Sequence, residues 1–159
     1  NVLRSGNKGA AALTLIGDCL KGWLAVWAAT RLGFGPLEAA LAGLAAFLGH
    51  VFTIFLRFNG GKGVATALGV LAGVDGRIAI LCALVWLAVA FTTRYSSAAA
   101  LSAAVAAPVA GLIFLGPQAS VLVLAAMAAL LVWRHAANIR RLRDGTEGRI
   151  GGSKKPKAD

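Results

Sequence analysis

The chain has 159 residues, 58% hydrophobic and 14% charged, and its mean hydropathy of +0.77 excludes a water-soluble globule as its class. Sixteen Lys and Arg against six Asp and Glu give a net charge of +10, yet the basic residues stand between long apolar runs rather than along one face, which excludes a nucleic-acid binder. Cys19 and Cys82 lie inside apolar stretches with no second Cys or His at ligand spacing, which supports neither a disulfide framework nor a metal site.

A helix needs about 20 apolar residues to cross about 30 Å of hydrocarbon, and six segments are candidates. The first, Ala10 to Thr30, carries Asp18 and Lys21. An ionisable side chain there costs about 2.5 to 3.5 kcal/mol on insertion scales, and the i, i+3 spacing puts the two on one helical face, where they neutralise each other. Both are structural candidates; the insertion cost does not choose between a pair that only makes insertion tolerable and one near the site. The second segment, Leu37 to Leu56, follows the Gly33–Pro36 break and contains His50, read as an interfacial histidine rather than a base.

Next comes Asn59-Gly60-Gly61-Lys62-Gly63-Val64-Ala65-Thr66. Its glycines let backbone N–H groups turn toward a ligand, Lys62 adds a point charge, and the helix that follows opens with its positive dipole end. This is a phosphate cradle or a flexible turn with a topology-setting lysine, and the bare motif favours the turn. It is not the nucleotide P-loop, because Gly63 replaces Ser or Thr after the lysine and no strand precedes it.

The third segment, Val64 to Val74, is short: a half-crossing, or a helix completed against protein. Ile78 to Thr93, Ala98 to Leu115 and Ala119 to Trp133 complete the six, with breaks at Asp75–Arg77, Arg94–Ser97 and Gly116-Pro117. A helix continuing past Trp133 puts His135 and Asn138 on one face near the membrane surface. Arg134, Arg140, Arg141 and Arg143 are read as headgroup contacts, and Glu147, in the Asp144–Glu147 turn, as a structural ion-pair partner.

Six crossings leave thirteen basic residues on one side and two, Arg31 and Arg77, on the other, whereas five crossings split them ten to five. Positive residues collect on the cytoplasmic side, so six is preferred. The expected fold is all-α, a polytopic transmembrane bundle packed closely through its many Ala and Gly. Arg4, Lys62, Ser96, Ser97, His135 and Asn138 then converge on the cytoplasmic face. That convergence indicates an enzyme or carrier for an anionic, partly lipidic substrate. A small carrier for an organic phosphate is the alternative, and it predicts polar residues through the depth of the bilayer.

Asn1-Val2-Leu3-Arg4, Asp18-Cys19-Leu20-Lys21-Gly22, Gly49-His50 through Thr66, Arg94-Tyr95-Ser96-Ser97 and His135-x-x-Asn138-Ile139-x-Arg141-Leu142 to Thr146-Glu147 together resemble the bacterial acyl-phosphate:glycerol-3-phosphate acyltransferase family. The resemblance implies an inner-membrane enzyme of seven helices that moves a fatty acyl group from acyl phosphate to the 1-hydroxyl of glycerol 3-phosphate, with no cofactor, carrier protein or thioester. Carried over, Arg4, His135 and Asn138 are catalytic; Gly60, Gly61, Lys62, Gly63 and Ser97 bind substrate phosphate; Glu147 is structural. The family's first motif opens with Ser-Gly-Asn-x-Gly-Ala-Thr ahead of Asn-Val-Leu-Arg, so the first helix and an essential serine are expected upstream of Asn1. Ser5-Gly6-Asn7 imitates that segment from the wrong side of Arg4, and Thr53 stands where the family commonly has proline. Residues 1–150 are expected to form one integral membrane domain, N-terminally incomplete, and 151–159 a disordered basic tail. Either His135, whose ordinary pKa near 6.5 suits a base, or a substrate phosphate oxygen accepts the hydroxyl proton.

Overall fold

The computed structural model describes residues 8–53 and 60–151, and these form seven α-helices. Arg4 and the rest of the first motif, Asn59, and residues 152–159 of the expected tail lie outside the described residues. The helices are α1 Lys8–Arg31, α2 Pro36–Val51, α3 Val64–Val74, α4 Gly76–Thr93, α5 Ser96–Leu115, α6 Ala119–Arg134 and α7 Ala136–Arg143. Local chemistry sets their ends. Pro36 opens α2 at the position that lacks a helical N–H partner anyway. Asp75 caps α4 by accepting from the Arg77 N–H at 2.8 Å. Gly116 follows α5 with φ of 75°, a conformation open to glycine.

From α1 to α6 successive helices reverse direction, so their breaks gather at two ends. At one end the Arg134 side chain reaches Gly60 and Ile150 pairs with Arg94; at the other, Thr30, Pro36, Val74, Leu115, Gln118 and Ser120 line a common cavity. Helix α3 packs against α1, α2 and α4, while α5 packs against α4 and α6. Val26, Phe47, Val51, Val70, Met127 and Leu131 form one buried cluster. Leu71, Ile78, Cys82, Ala110 and Leu124 form a second.

The outer surface is apolar. Phe91 is 89% exposed and Leu122 72%, with Leu13, Ile80 and Ile113 also turned outward. Water would penalise this arrangement and hydrocarbon does not, so the chain is a membrane protein. Helix length and composition among the described residues do not support the expected count of six crossings. Among the described residues three helices, over Gly9–Arg31, Gly76–Thr93 and Ser96–Leu115, are long and apolar enough to cross, or four if α6 and α7 count as one bent span. At 16 and 11 residues, α2 and α3 are about 24 and 16 Å long, short of about 30 Å of hydrocarbon. The sequence pattern hid this because apolar residues run past the helix end at Val51. Helix α3 tolerates its length because its neighbours in the bundle, not lipid, surround it.

Glycine makes that burial possible. A Cβ on Gly69 would collide with the Cys19 carbonyl, and one on Gly22 with the Thr66 carbonyl, so α1 and α3 touch backbone to backbone. Gly69→Ala is expected to destabilise the bundle by about 1 to 3 kcal/mol, the usual range for overpacking. Thermal unfolding in detergent checks this; an unchanged midpoint would mean that the two helices can separate freely.

Candidate active site

A cavity of about 660 Å³ opens at the end where α3, α5 and α7 begin. Lys62, Ser96, Ser97, His135, Asn138 and Glu147 line its polar part, and Leu15, Leu68, Leu71, Cys82, Trp86 and Leu87 its apolar part. The cavity runs inward along the helices. Cys82 lies 11 residues from the end of α4 at Thr93, about 16 Å at 1.5 Å per residue.

Glu147 organises the polar part. Its Oε1 accepts from Ser97 Oγ at 2.7 Å and from Asn138 Nδ2 at 2.6 Å, and its Oε2 accepts from Arg141 Nε at 2.6 Å. Ser97 and Asn138 are buried, so each needs this partner. The turn that delivers Glu147 is built by the Thr146 and Glu147 N–H groups donating to the Arg141 carbonyl and by Gly145 at φ of 68°. Burial alone would raise the Glu147 pKa, but the three donors outweigh it and hold the carboxyl below its ordinary value of 4.5. A depressed folded-state pKa contributes stability that is present above the unfolded value and lost as pH falls through the folded one. The melting temperature is therefore expected to hold from neutrality down to about pH 5 and to fall below it, and Glu147→Gln to flatten that acid limb.

His135 is 2% exposed. Its Nδ1 hydrogen-bonds the Leu131 carbonyl at 2.8 Å, and because a carbonyl only accepts, Nδ1 carries the proton. Nε2 of the neutral ring is then the lone-pair nitrogen. The expected continuous helix through His135 is corrected: the chain bends 58° there, with His135 ending α6 and capping α7. Its N–H is shared between the Leu131 and Val132 carbonyls, which tightens the last turn and redirects the chain. Even so, His135 and Asn138 line one cavity.

The glycine loop serves packing as well as approach. Lys62 lines the cavity, whereas Gly60, Gly61 and Gly63 are not part of its lining. A Cβ on Gly63 would strike the Phe47 ring, one on Gly61 the His50 ring and one on Gly60 the His50 carbonyl. Gly63 also has φ of 80° and leaves the start of α3 without a side-chain cap. The first-turn N–H groups of α3 beside Lys62 thus form a positive end.

Two participants escaped the sequence reading. Arg134, assigned to headgroups, donates from Nη2 to the Gly60 carbonyl at 3.0 Å and so ties the end of α6 to the loop. His50 joins the Asp18–Lys21 pair: Lys21 Nζ is 2.6 Å from Asp18 Oδ1 and 2.5 Å from His50 Nδ1. The available signals were the position of Arg134 beside His135 and a third ionisable group in an apolar segment.

A glycerol-3-phosphate acyltransferase family profile matches residues 1–145. The chain belongs to this family. It is 68% identical to a glycerol-3-phosphate acyltransferase of Aromatoleum aromaticum over 154 residues, covering 97% of this chain and 78% of that protein. It is 53% identical to one of Paraburkholderia phymatum, covering 99% of this chain and 77% of that protein. The crystal structure of PlsY (YgiH), an integral membrane glycerol 3-phosphate acyltransferase, in its glycerol 3-phosphate form superposes with a TM-score of 0.88 at 37% identity, covering 94% of this chain and 76% of that one. Its lysophosphatidic acid form gives 0.87. The family match spans the glycine loop, His135 and Asn138 and stops two residues before Glu147.

Proposed function

We propose that this chain transfers a fatty acyl group from acyl phosphate to the 1-hydroxyl of sn-glycerol 3-phosphate, releasing lysophosphatidic acid and phosphate, as one membrane domain over residues 1–150. The observation that carries this reading is a single cavity with a cationic, hydrogen-bonding mouth and an apolar interior, which matches a phosphorylated head and an acyl chain. Lys62 and the uncapped first turn of α3 hold phosphate, Ser97 lines the same cavity as Lys62, and Arg4 is assigned to the phosphates by the family's first motif. The hydroxyl oxygen attacks the acyl carbonyl carbon, the bond to the phosphate oxygen breaks, and phosphate departs with its electron pair. His135 Nε2 takes the hydroxyl proton, and Asn138, whose Nδ2 donates to Glu147, has its Oδ1 left to accept from the substrate. No strong acid is needed, because the leaving group is already a stable anion.

Charge supports a cytoplasmic site on a bacterial inner membrane. Among the described residues the cavity end carries Lys62, Arg94, Arg134, Arg140, Arg141, Arg143 and Arg149, against Arg31 and Arg77 at the other end. The polar groups lining the cavity gather at its mouth, as chemistry at an interface requires, rather than along a transmembrane path as in a carrier.

The test is phosphate release from palmitoyl phosphate by the detergent-purified chain, with and without glycerol 3-phosphate. It is run on the chain as it stands and on the chain joined to the family's upstream helix and Ser-Gly-Asn-x-Gly-Ala-Thr segment. Release that depends on glycerol 3-phosphate supports the reading. Folded protein with no dependence in either form overturns it in favour of a carrier.

A further inference from the structure

We propose that Asp18, Lys21 and His50 are a positioning unit for the glycine loop, acting on bound phosphate only through the backbone of Gly60 and Gly61. This rests on the acyltransferase reading of the cavity and extends it to residues outside the cavity wall.

An ion pair that only eased insertion would be complete on α1. Instead Lys21 Nζ reaches across to α2 and bonds His50 Nδ1 at 2.5 Å as well as Asp18 Oδ1 at 2.6 Å, and Asp18 Oδ1 lies 3.4 Å from the same ring nitrogen. An ammonium group has protons to give and no lone pair, so His50 Nδ1 is the acceptor. The proton of the neutral ring then sits on Nε2. That edge of the ring meets the loop: a Cβ added to Gly61 would collide with His50 Nε2, and one added to Gly60 with the His50 carbonyl. The Gly60 N–H donates to the neighbouring Val51 carbonyl at 3.1 Å.

The loop backbone therefore lies directly on His50, and Lys21 fixes how that ring is turned. Lys62, the next residue, points into the cavity, with its Cα 3.8 Å along the chain from that of Gly61. Rotation of the His50 ring shifts the loop backbone that carries Lys62 and leads into α3, and a displacement near 1 Å is enough to lose much of a well-oriented interaction. Three polar residues on two helices, none lining the cavity, thus share one output: the placement of the loop.

The decisive variant is the double substitution Asp18→Asn/Lys21→Met, which removes both charges together and leaves no ion unpaired in the membrane. The second is His50→Ala, which removes the ring and keeps the Asp18–Lys21 pair. Thermal unfolding establishes that each is folded. A merely structural pair predicts that the double variant, once folded, has the parental KM for glycerol 3-phosphate. Positioning predicts that both variants raise that KM by about tenfold while kcat changes by less than about threefold. Lys21→Arg, which retains a cationic donor, recovers part of the loss. A parental KM in the folded variants overturns the proposal. If the parent shows no glycerol-3-phosphate-dependent turnover, the acyltransferase reading fails separately. Calorimetric titration with inorganic phosphate then decides the inference: weaker binding in both variants supports it, and unchanged binding overturns it.

Discussion

Replacing His135 by alanine is expected to lower kcat by about 10²- to 10⁴-fold, the range that a positioned base contributes, with a much smaller change in KM for glycerol 3-phosphate. The ring is nearly sealed from solvent, and its Nδ1 is committed to the Leu131 carbonyl, so the lone pair on Nε2 is held in one tautomer and one orientation. That arrangement suits proton acceptance from a hydroxyl lying between His135 and the Lys62 loop. His135→Gln, closer in size, separates packing from basicity: it retains a polar side chain and lacks an imidazole, and its kcat is expected to stay near that of the alanine variant. Phosphate-release kinetics on both variants check the expectation. Retention of kcat within about fivefold would move the proton to a substrate phosphate oxygen and leave His135 as a hydrogen-bonding positioner.

Glu147→Ala is expected to have the largest combined effect on stability and activity. The substitution leaves the buried donors of Ser97 and Asn138 without an acceptor, at about 1 to 3 kcal/mol each. Arg141, with a side chain 46% exposed, adds little because water screens it. The loss of about 2 to 6 kcal/mol is expected to lower the melting temperature by several degrees. Activity should fall by about 100-fold or more, since Asn138 and Ser97 lose the partner that orients them at the cavity mouth. Glu147→Gln keeps a carbonyl acceptor and is expected to lie between the two. Thermal unfolding and kcat measured together check this; a melting temperature equal to the parent's would show that water replaces the carboxylate.

Membrane residence, the all-helical class and nearly every helix boundary were legible in the sequence because they depend on local chemistry. Apolar run length, Pro36 at a helix start, Asp75 as a cap and glycine at the break after Leu115 act within a few residues of one another. The i, i+3 pairing of Asp18 with Lys21 was legible for the same reason, and so was Glu147 as an ion-pair partner, although Arg141, read as a headgroup contact, is the residue it pairs with. The family could be read because its motifs occur in order along the chain, and residues 1–145 match it.

Tertiary structure alone decided the rest, because those features join residues far apart in the chain. Helix α2 ends at Val51 and α3 is sheltered by α1, α2 and α4, and a buried helix need not satisfy the thickness of lipid. The bend at His135 depends on two competing carbonyl acceptors, which periodicity does not register. Arg134 meets Gly60 across 74 residues, His50 meets Lys21 across 29, and Ser97 meets Glu147 across 50. Sequence spacing determined which side chains share a helix face; backbone contact at Gly22 and Gly69, brought about by packing, determined which faces meet and so where the cavity lies.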